Sequence, residues 1–310
     1  MAEEIGTLSI GTYDGALIVH KIWKVVENGQ EKPDFIKPDD SGYISKVLFR
    51  IHPHDGSVRS ITSCDKYIAS GGFDGTICLF DPESLKNVGS LVQHEDSVES
   101  LEFYEDSFLV SGSSDKTICL WRCSDWVLAK QFKGHTSAVN MTSISPTGKF
   151  MLSCGRDGSL RMWDLMRAHN ARTRPIGVAP TFVGFTEDSK CFILGIGNDV
   201  TVVDGGTEAT VYVFSHPKQV TSHSVHDNKI WVGLANGSVF GWSLKTGEAI
   251  GEYKVADRRI KYIKVSKGYI AALTSEGDVY IGTIDENNEI VTVLNWSIET
   301  RITCGDFHLE

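Results

Sequence analysis

Residues 111–121, SGSSDKTICLW, gather the side chains of hydrolytic chemistry, and His94 lies seventeen residues before Ser111. A serine, a histidine and an aspartate such as Asp115, brought together in space, form a nucleophile, its general base and the group that orients the base. The glycine and serine run before Lys116-Thr117 also has the composition of a loop that wraps a phosphate in backbone N–H groups. Either arrangement would make the chain an enzyme. The first needs one set of residues on which the fold converges. The second needs GxxxxGK[ST] between a strand and a helix.

Neither requirement is met. GSSDKT lacks the phosphate-loop spacing and lies between two apolar, strand-like runs. GIG at 195–197 has no third glycine and no following helix, so a dinucleotide site is equally unsupported. Cys119 and Cys123 form a lone CxxxC with no histidine or second cysteine pair in register, which gives no zinc site. The serine-histidine-aspartate set itself recurs, as His54, Ser70, Asp74, then His94, Ser111, Asp115, then His135, Ser153, Asp157. An enzyme has no use for three nucleophiles at intervals of 41 and 42 residues. A repeated structural unit does. The expectation is a chain without catalytic residues, metal or cofactor.

The elements that must hold these residues are read from the repeat. YIASGGFDGTICLFD (67–81), FLVSGSSDKTICLWR (108–122) and FMLSCGRDGSLRMWD (150–164) are versions of one phrase. Fainter copies are LSIGTYDGALIVHKI (8–22), CFILGIGNDVTVVD (191–204), IWVGLANGSVFGWS (230–243) and YIAALTSEGDVYIGT (269–283). Each reads apolar run, turn, apolar run, and five of the turns carry DG, NG or EG, the signal of a tight hairpin. The runs are rich in Ile, Val, Phe, Leu and Trp, as buried strands are. No stretch has a helical period with caps, so the chain is expected to be all-β.

A second phrase, HDGSV (54–58), HEDSV (94–98) or GHTSAV (134–139), precedes each clear copy, with the histidine 20, 21 or 22 residues before its aspartate. A unit of about forty residues with an early histidine, a turn aspartate and a WD-like ending resembles the WD40 repeat. The resemblance covers essentially the whole chain. It implies a seven-bladed β-propeller formed by residues 1–310 as a single domain. TRITCGDF (300–307) matches the strand that follows each histidine, so the C-terminal strand is expected to pair with the N-terminal strands and close the ring. In such repeats the histidine, serine, aspartate and tryptophan form a hydrogen-bonded tetrad. The resemblance therefore gives Trp121 and Trp163 to the second and third sets, while Phe80 takes that place in the first.

The formal charge of −10 and a pI near 5.5 oppose non-specific binding to nucleic acid or an anionic membrane. Seven scattered cysteines in apolar runs fit a reducing compartment better than a disulfide framework. The N-terminal MAEEIGTLSIGTYDG does not read as a signal peptide, and no apolar run is long enough to span a membrane.

Beyond the generic repeat, the sequence is similar to the p21-activated-kinase-interacting proteins, whose yeast relatives mature the large ribosomal subunit. The similarity rests on the opening strand pair IGTYDGALIVHKI, on HEDSVESLEFYEDSFLVSGSSDKTICLWR, on GHTSAVNMTSISPTGKFMLSCGRDGSLRMWDLMR followed by a basic segment, and on the closing RITCGDF. It implies a non-catalytic scaffold that assembles the 60S subunit and supports pre-rRNA processing in the nucleus and nucleolus, with some chain in the cytoplasm. The implied partners are pre-60S assembly factors and rRNA, with the chain a monomer outside its complex. An alternative it implies is restraint of p21-activated kinase through the kinase's regulatory region. A ubiquitin-ligase adaptor is a third reading, but the WDxR signature is missing, since Trp163-Asp164 meets arginine only at Arg167.

Two basic clusters are candidate partner or RNA sites. Arg161, Arg167, Arg172 and Arg174 surround the WD ending of the fourth unit, where RAHNARTRP reads as a loop free of carboxylates. Arg258, Arg259, Lys261 and Lys264 lie in KVADRRIKYIKVSK (254–267), where the alternation around Lys261 reads as a partly exposed strand edge. KVVENGQEKPDFIKPDDSGY (24–43) reads as a mobile loop inserted in the first blade.

Overall fold

The computed structural model describes residues 2–25, 42–84 and 86–309. These form twenty-eight strands in seven four-stranded antiparallel sheets. Among the described residues there is no helix. Blade 1 contains Ile302–Leu309, Ala2–Thr12, Leu17–Val25 and Tyr43–Ile51, in that order from the inside outward. Blades 2 to 7 each take four consecutive strands. Their innermost strands are Val58–Ser63, Val98–Tyr104, Val139–Ile144, Phe182–Phe185, Val220–His226 and Ile260–Ser266. Each innermost strand packs against the next, and Ile302–Leu309 packs against both Ile260–Ser266 and Val58–Ser63, so the ring is closed.

The period of two in the sequence explains the packing. Successive side chains leave a strand on opposite faces, and each face meets a different neighbour. Leu109 packs with Ala69, Ile77 and Leu79 of blade 2, while the next residue, Val110, packs with Val139, Met151 and Trp163 of blade 4. The same holds around the ring. There are seven apolar clusters among the described residues, and every one spans the boundary between two adjacent blades. Burying a side chain such as Leu109, which is 0% exposed, contributes about 1.5–3 kcal/mol. That gain exists only while the neighbouring blade is in place.

Closure is achieved by the chain's own ends. Thr7 pairs with His308, Ser9 with Asp306 and Gly11 with Cys304. Asp306 then reaches outside its blade. It accepts hydrogen bonds from the backbone N–H of Ser63 (2.7 Å) and from the Ser63 hydroxyl in blade 2, and from the Tyr262 hydroxyl of blade 7 (3.1 Å). Three blades are tied by one carboxylate.

Two expectations are corrected. Residues 169–175 are not a loop, because His169–Pro175 is the outermost strand of blade 4, with Arg172 opposite Met162 and Arg174 opposite Leu160. An outermost strand shows solvent on most of its surface, so it needs no apolar alternation to form. Lys261 does not mark a strand edge either. Ile260–Ser266 is innermost in blade 7, and its alternation separates the blade interfaces from the water-filled central channel, which Lys261 and Lys264 line. Of the expected insertion at 24–43, Lys24 and Tyr43 are paired strand residues, and 26–41 lie outside the described residues.

The hairpin turns require a left-handed residue after the turn aspartate. Gly75 (φ 77°) and Gly158 (φ 66°) supply it in blades 2 and 4, but blade 3 places Lys116 there at φ 74°. A side chain in that conformation costs about 1–2 kcal/mol. Lys116 is exposed and holds no carboxylate partner among the described residues, so Lys116→Gly is expected to raise the melting temperature. Differential scanning calorimetry checks this, and an unchanged or lower value would contradict the strain.

Candidate functional site

The three serine-histidine-aspartate sets are assembled, and each is sealed inside a blade. In blade 3 the Trp121 indole N–H donates to Ser111 Oγ (3.0 Å), Ser111 Oγ lies 2.8 Å from His94 Nε2, and His94 Nδ1 lies 2.8 Å from Asp115 Oδ2. Blade 4 repeats this with Trp163, Ser153, His135 and Asp157 at 2.8, 2.7 and 2.9 Å. One proton arrangement satisfies every group. Tryptophan donates to serine, serine donates to the histidine Nε2, and the Nδ1–H donates to aspartate. Blade 2 lacks the indole. Phe80 occupies its place and packs on Phe49 of blade 1, and His54 Nδ1 stands a longer 3.3 Å from Asp74 while its Nε2 keeps Ser70 at 2.8 Å.

These serines cannot act as nucleophiles. Ser70, Ser111 and Ser153 are all 0% exposed, and no reacting carbonyl can approach them. What the arrangement does is join three segments of chain. Each turn aspartate accepts from the backbone N–H after its histidine, namely that of Asp55, Glu95 or Thr136, at 2.9–3.1 Å. It also accepts from the N–H and hydroxyl two residues on, in Thr76, Thr117 or Ser159. The hairpin is thereby fastened to the preceding inter-blade turn. In blade 2, Gly72 keeps the space open, because a Cβ there would stand 2.3 Å from His54 Nδ1.

Sequence reasoning missed two parts of this. The hydroxyl two residues after each aspartate is one, and its signal is the shared D-x-[TS] of DGT, DKT and DGS. The other is His216 in blade 6. It stands twenty residues before Asn236, the spacing of the other histidines, in HPKQV. Val232 replaces the serine there, so the Trp242 indole N–H donates directly to His216 Nε2 (3.1 Å), and the His216 Nδ1–H donates to the Asn198 carbonyl (3.0 Å).

The basic candidates are distributed as follows. Arg161 and Arg174 lie toward the end of blade 4 that carries the histidine turn, Arg172 lies between, and Arg167 is in the turn at the opposite end. Arg161 Nη1 donates to Thr173 Oγ1 (3.2 Å), Arg172 is ion-paired with Glu208 of blade 5, and Arg167 stands 3.8 Å from Asp164. The four therefore do not form one cluster. Arg258 is bound by Glu276 at 3.2 Å, and Arg259 ends the turn above the channel, with its carbonyl accepting from Ser275 N–H. The channel between the innermost strands has a volume of about 430 Å3 and receives Arg59, Glu99, Glu102, Lys261, Lys264 and Asp306.

Three stretches, residues 45–81, 85–122 and 126–164, match the family described as "WD domain, G-beta repeat". They coincide with blades 2 to 4 and the strands leading into them, which hold the tetrads. The chain is a WD40-repeat protein. Its similarity to known members is spread much more widely. It is 27% identical over 282 residues to "p21-activated protein kinase-interacting protein 1-like" of Xenopus laevis, covering 90% of this chain and 74% of that one. "Shk1 kinase-binding protein 15" of Schizosaccharomyces pombe is 25% identical over 84% of this WD40 chain and 76% of its own. "Protein MAK11" of Saccharomyces cerevisiae is 28% identical over 62% of this chain and 53% of its own.

Burial sets how this WD40 ring responds to acid. Burial holds the His54, His135 and His216 imidazoles below their ordinary range, against the neighbouring hydrogen bonds that would raise them, and lowers those of His20 and His223 to about 4. An unfolded chain protonates these groups near pH 6.5, so their stabilisation is complete above that pH and is lost as the pH falls. For the turn aspartates burial alone would raise the carboxyl. Hydrogen bonds outweigh it, from Thr76 and Asp55 onto Asp74, from His94 and Thr117 onto Asp115, and from Ser159, Thr136 and His135 onto Asp157, which falls to about 2. That contribution is lost below the unfolded value near 3.9. Glu102 acts oppositely. Burial pushes its carboxyl up to about 8, so it favours the folded state below pH 4.5 and loses that effect as pH rises. Five imidazoles outweigh one carboxyl. The melting temperature is expected to fall from pH 7 to pH 4 and fall further below 4, which scanning calorimetry across that range checks. Asp115→Ala should cost about 2–3 kcal/mol at pH 7, read as a lower denaturant midpoint. Wild-type stability in that variant would contradict the fastening role.

Proposed function

We propose that this WD40 ring is a non-catalytic scaffold in assembly of the large ribosomal subunit. The observation that carries the reading is the outer strand His169–Pro175. It presents an open edge free of carboxylates on a chain of net charge −10, with Arg172 half-exposed along it and Arg167 77% exposed in the adjoining turn. Arginine at an open strand edge offers both a backbone ladder and guanidinium forks to an acidic protein or an rRNA phosphate. The burial of every serine-histidine-aspartate set supports a binding role over a catalytic one. The similarity to the p21-activated-kinase-interacting proteins, with Protein MAK11 among the relatives, supports the ribosomal setting and hence the nucleus and nucleolus. The tagged chain should sediment with large-subunit precursors, and Arg167→Glu combined with Arg172→Glu should shift it to light fractions. Migration of the unaltered chain in light fractions alone would refute the proposal.

A second reading is favoured by the names of two relatives, each of which states kinase binding. On this reading the chain binds the regulatory region of p21-activated kinase and restrains activation. Direct titration of that region against the purified chain tests it, and absence of saturable binding removes it.

A further inference from the structure

The central channel holds charge that the ring itself does not use. Arg59 is occupied by Glu99 in a two-pronged contact at 2.9 and 3.3 Å, and Asp306 is occupied by Ser63 and Tyr262. Arg259, Lys261 and Lys264 have no ion-paired carboxylate among the described residues, and Lys261 and Lys264 are open to channel water. Burial, then the nearby Arg259 and Arg59, lowers the Lys261 ammonium, as expected where like charges crowd. The Glu102 carboxyl, pushed upward by burial, supplies little negative charge to Lys264 at neutral pH. Once Arg59 is set against Glu99 and one lysine against Asp306, two positive charges remain.

The rim beside this sector is aromatic. Tyr13 (66% exposed) and Phe73 (60% exposed) sit on the hairpins of blades 1 and 2. Their backbone N–H groups bond to Arg301 and Ser57, in the turns leading to the innermost strands, as Ser275 bonds to Arg259 in blade 7. The aromatic rings therefore flank the same side of the mouth as the free cations.

We propose that the channel mouth, through Arg259, Lys261 and Lys264, receives one phosphorylated side chain of a protein partner, whose neighbouring residues lie on Tyr13 and Phe73. Two uncompensated charges match a phosphate dianion, and ammonium groups on flexible stems can meet its tetrahedral oxygens from different directions. A nucleic-acid strand fits less well, because a chain of charge −10 repels a polyanion along its length, whereas a single phosphate meets only the local field. The inference rests on the scaffold reading and names the chemistry of the partner.

The test is fluorescence anisotropy on the full chain with three labelled probes: a degenerate peptide library centred on phosphoserine, the same library with serine, and oligouridylate. The phosphorylated library should bind at least about tenfold more tightly than the serine library. Lys261→Gln combined with Lys264→Gln should abolish the difference, while Lys130→Gln on the outer strand of blade 3 leaves it intact. Should the double variant fold poorly, free O-phosphoserine must still displace the phosphorylated library from the unaltered chain. Equal binding of the two peptide libraries overturns the proposal, as does oligouridylate binding that is lost in the double variant. Sedimentation with ribosomal precursors reports on the scaffold reading separately, so persistence there alongside failed phosphopeptide binding rejects this inference alone.

Discussion

A four-stranded sheet with two apolar faces cannot be stable alone in water, and that constraint organises the molecule. Each strand sends alternate side chains to opposite neighbours, as Leu109 and Val110 do, so every apolar cluster belongs to two blades. Removing any blade uncovers two others. The sheet must therefore return on itself, and it does so through Ile302–Leu309, with Asp306 joining blades 7, 1 and 2 by hydrogen bonds. Stability in such a ring is a property of the interfaces, with little left to a single blade.

The polar tetrads add something different. A buried imidazole or carboxylate without partners would destabilise the interior, but here each is satisfied by a group fixed in sequence distance. The result specifies geometry as much as it stabilises, because the hairpin, the inter-blade turn and the third strand must agree within hydrogen-bond distance. Blades 3 and 4 keep the full chain of donors, blade 2 loses the indole, and blade 6 shortens the chain to Trp242 and His216. Residues resembling an active site thus serve as fasteners, leaving loops, edges and channel for recognition.

The architecture was readable because apolar alternation and the histidine-to-aspartate spacing repeat, and repetition separates a structural role from a catalytic one. The closing strand was readable for the same reason, since TRITCGDF copies a phrase found elsewhere. Position across the blade was not. His169–Pro175 has no apolar pattern because its environment is mostly water, and the alternation at Lys261 is the same whether the polar side faces solvent or a channel. The blade 6 histidine was hidden because its partners changed, with Val232 for serine and Asn236 for aspartate, although its spacing was intact. Which arginines act together was also illegible, since ion pairs such as Arg172 with Glu208 join residues from different units.

The pairing of Ala2–Thr12 with Ile302–Leu309 also sets a timetable for biosynthesis. The first strands to leave the ribosome belong to a blade whose innermost strand follows some 250 residues later, on the order of ten to fifty seconds at ordinary translation rates. Throughout that interval Leu8 and Ile10, fully covered in the finished ring, lack their partner strand. Blades 2 to 6 can form in order as they emerge, each on the one before, but the nascent chain remains an open arc with an apolar end. A chaperone that shields that end until release is a natural requirement of this topology.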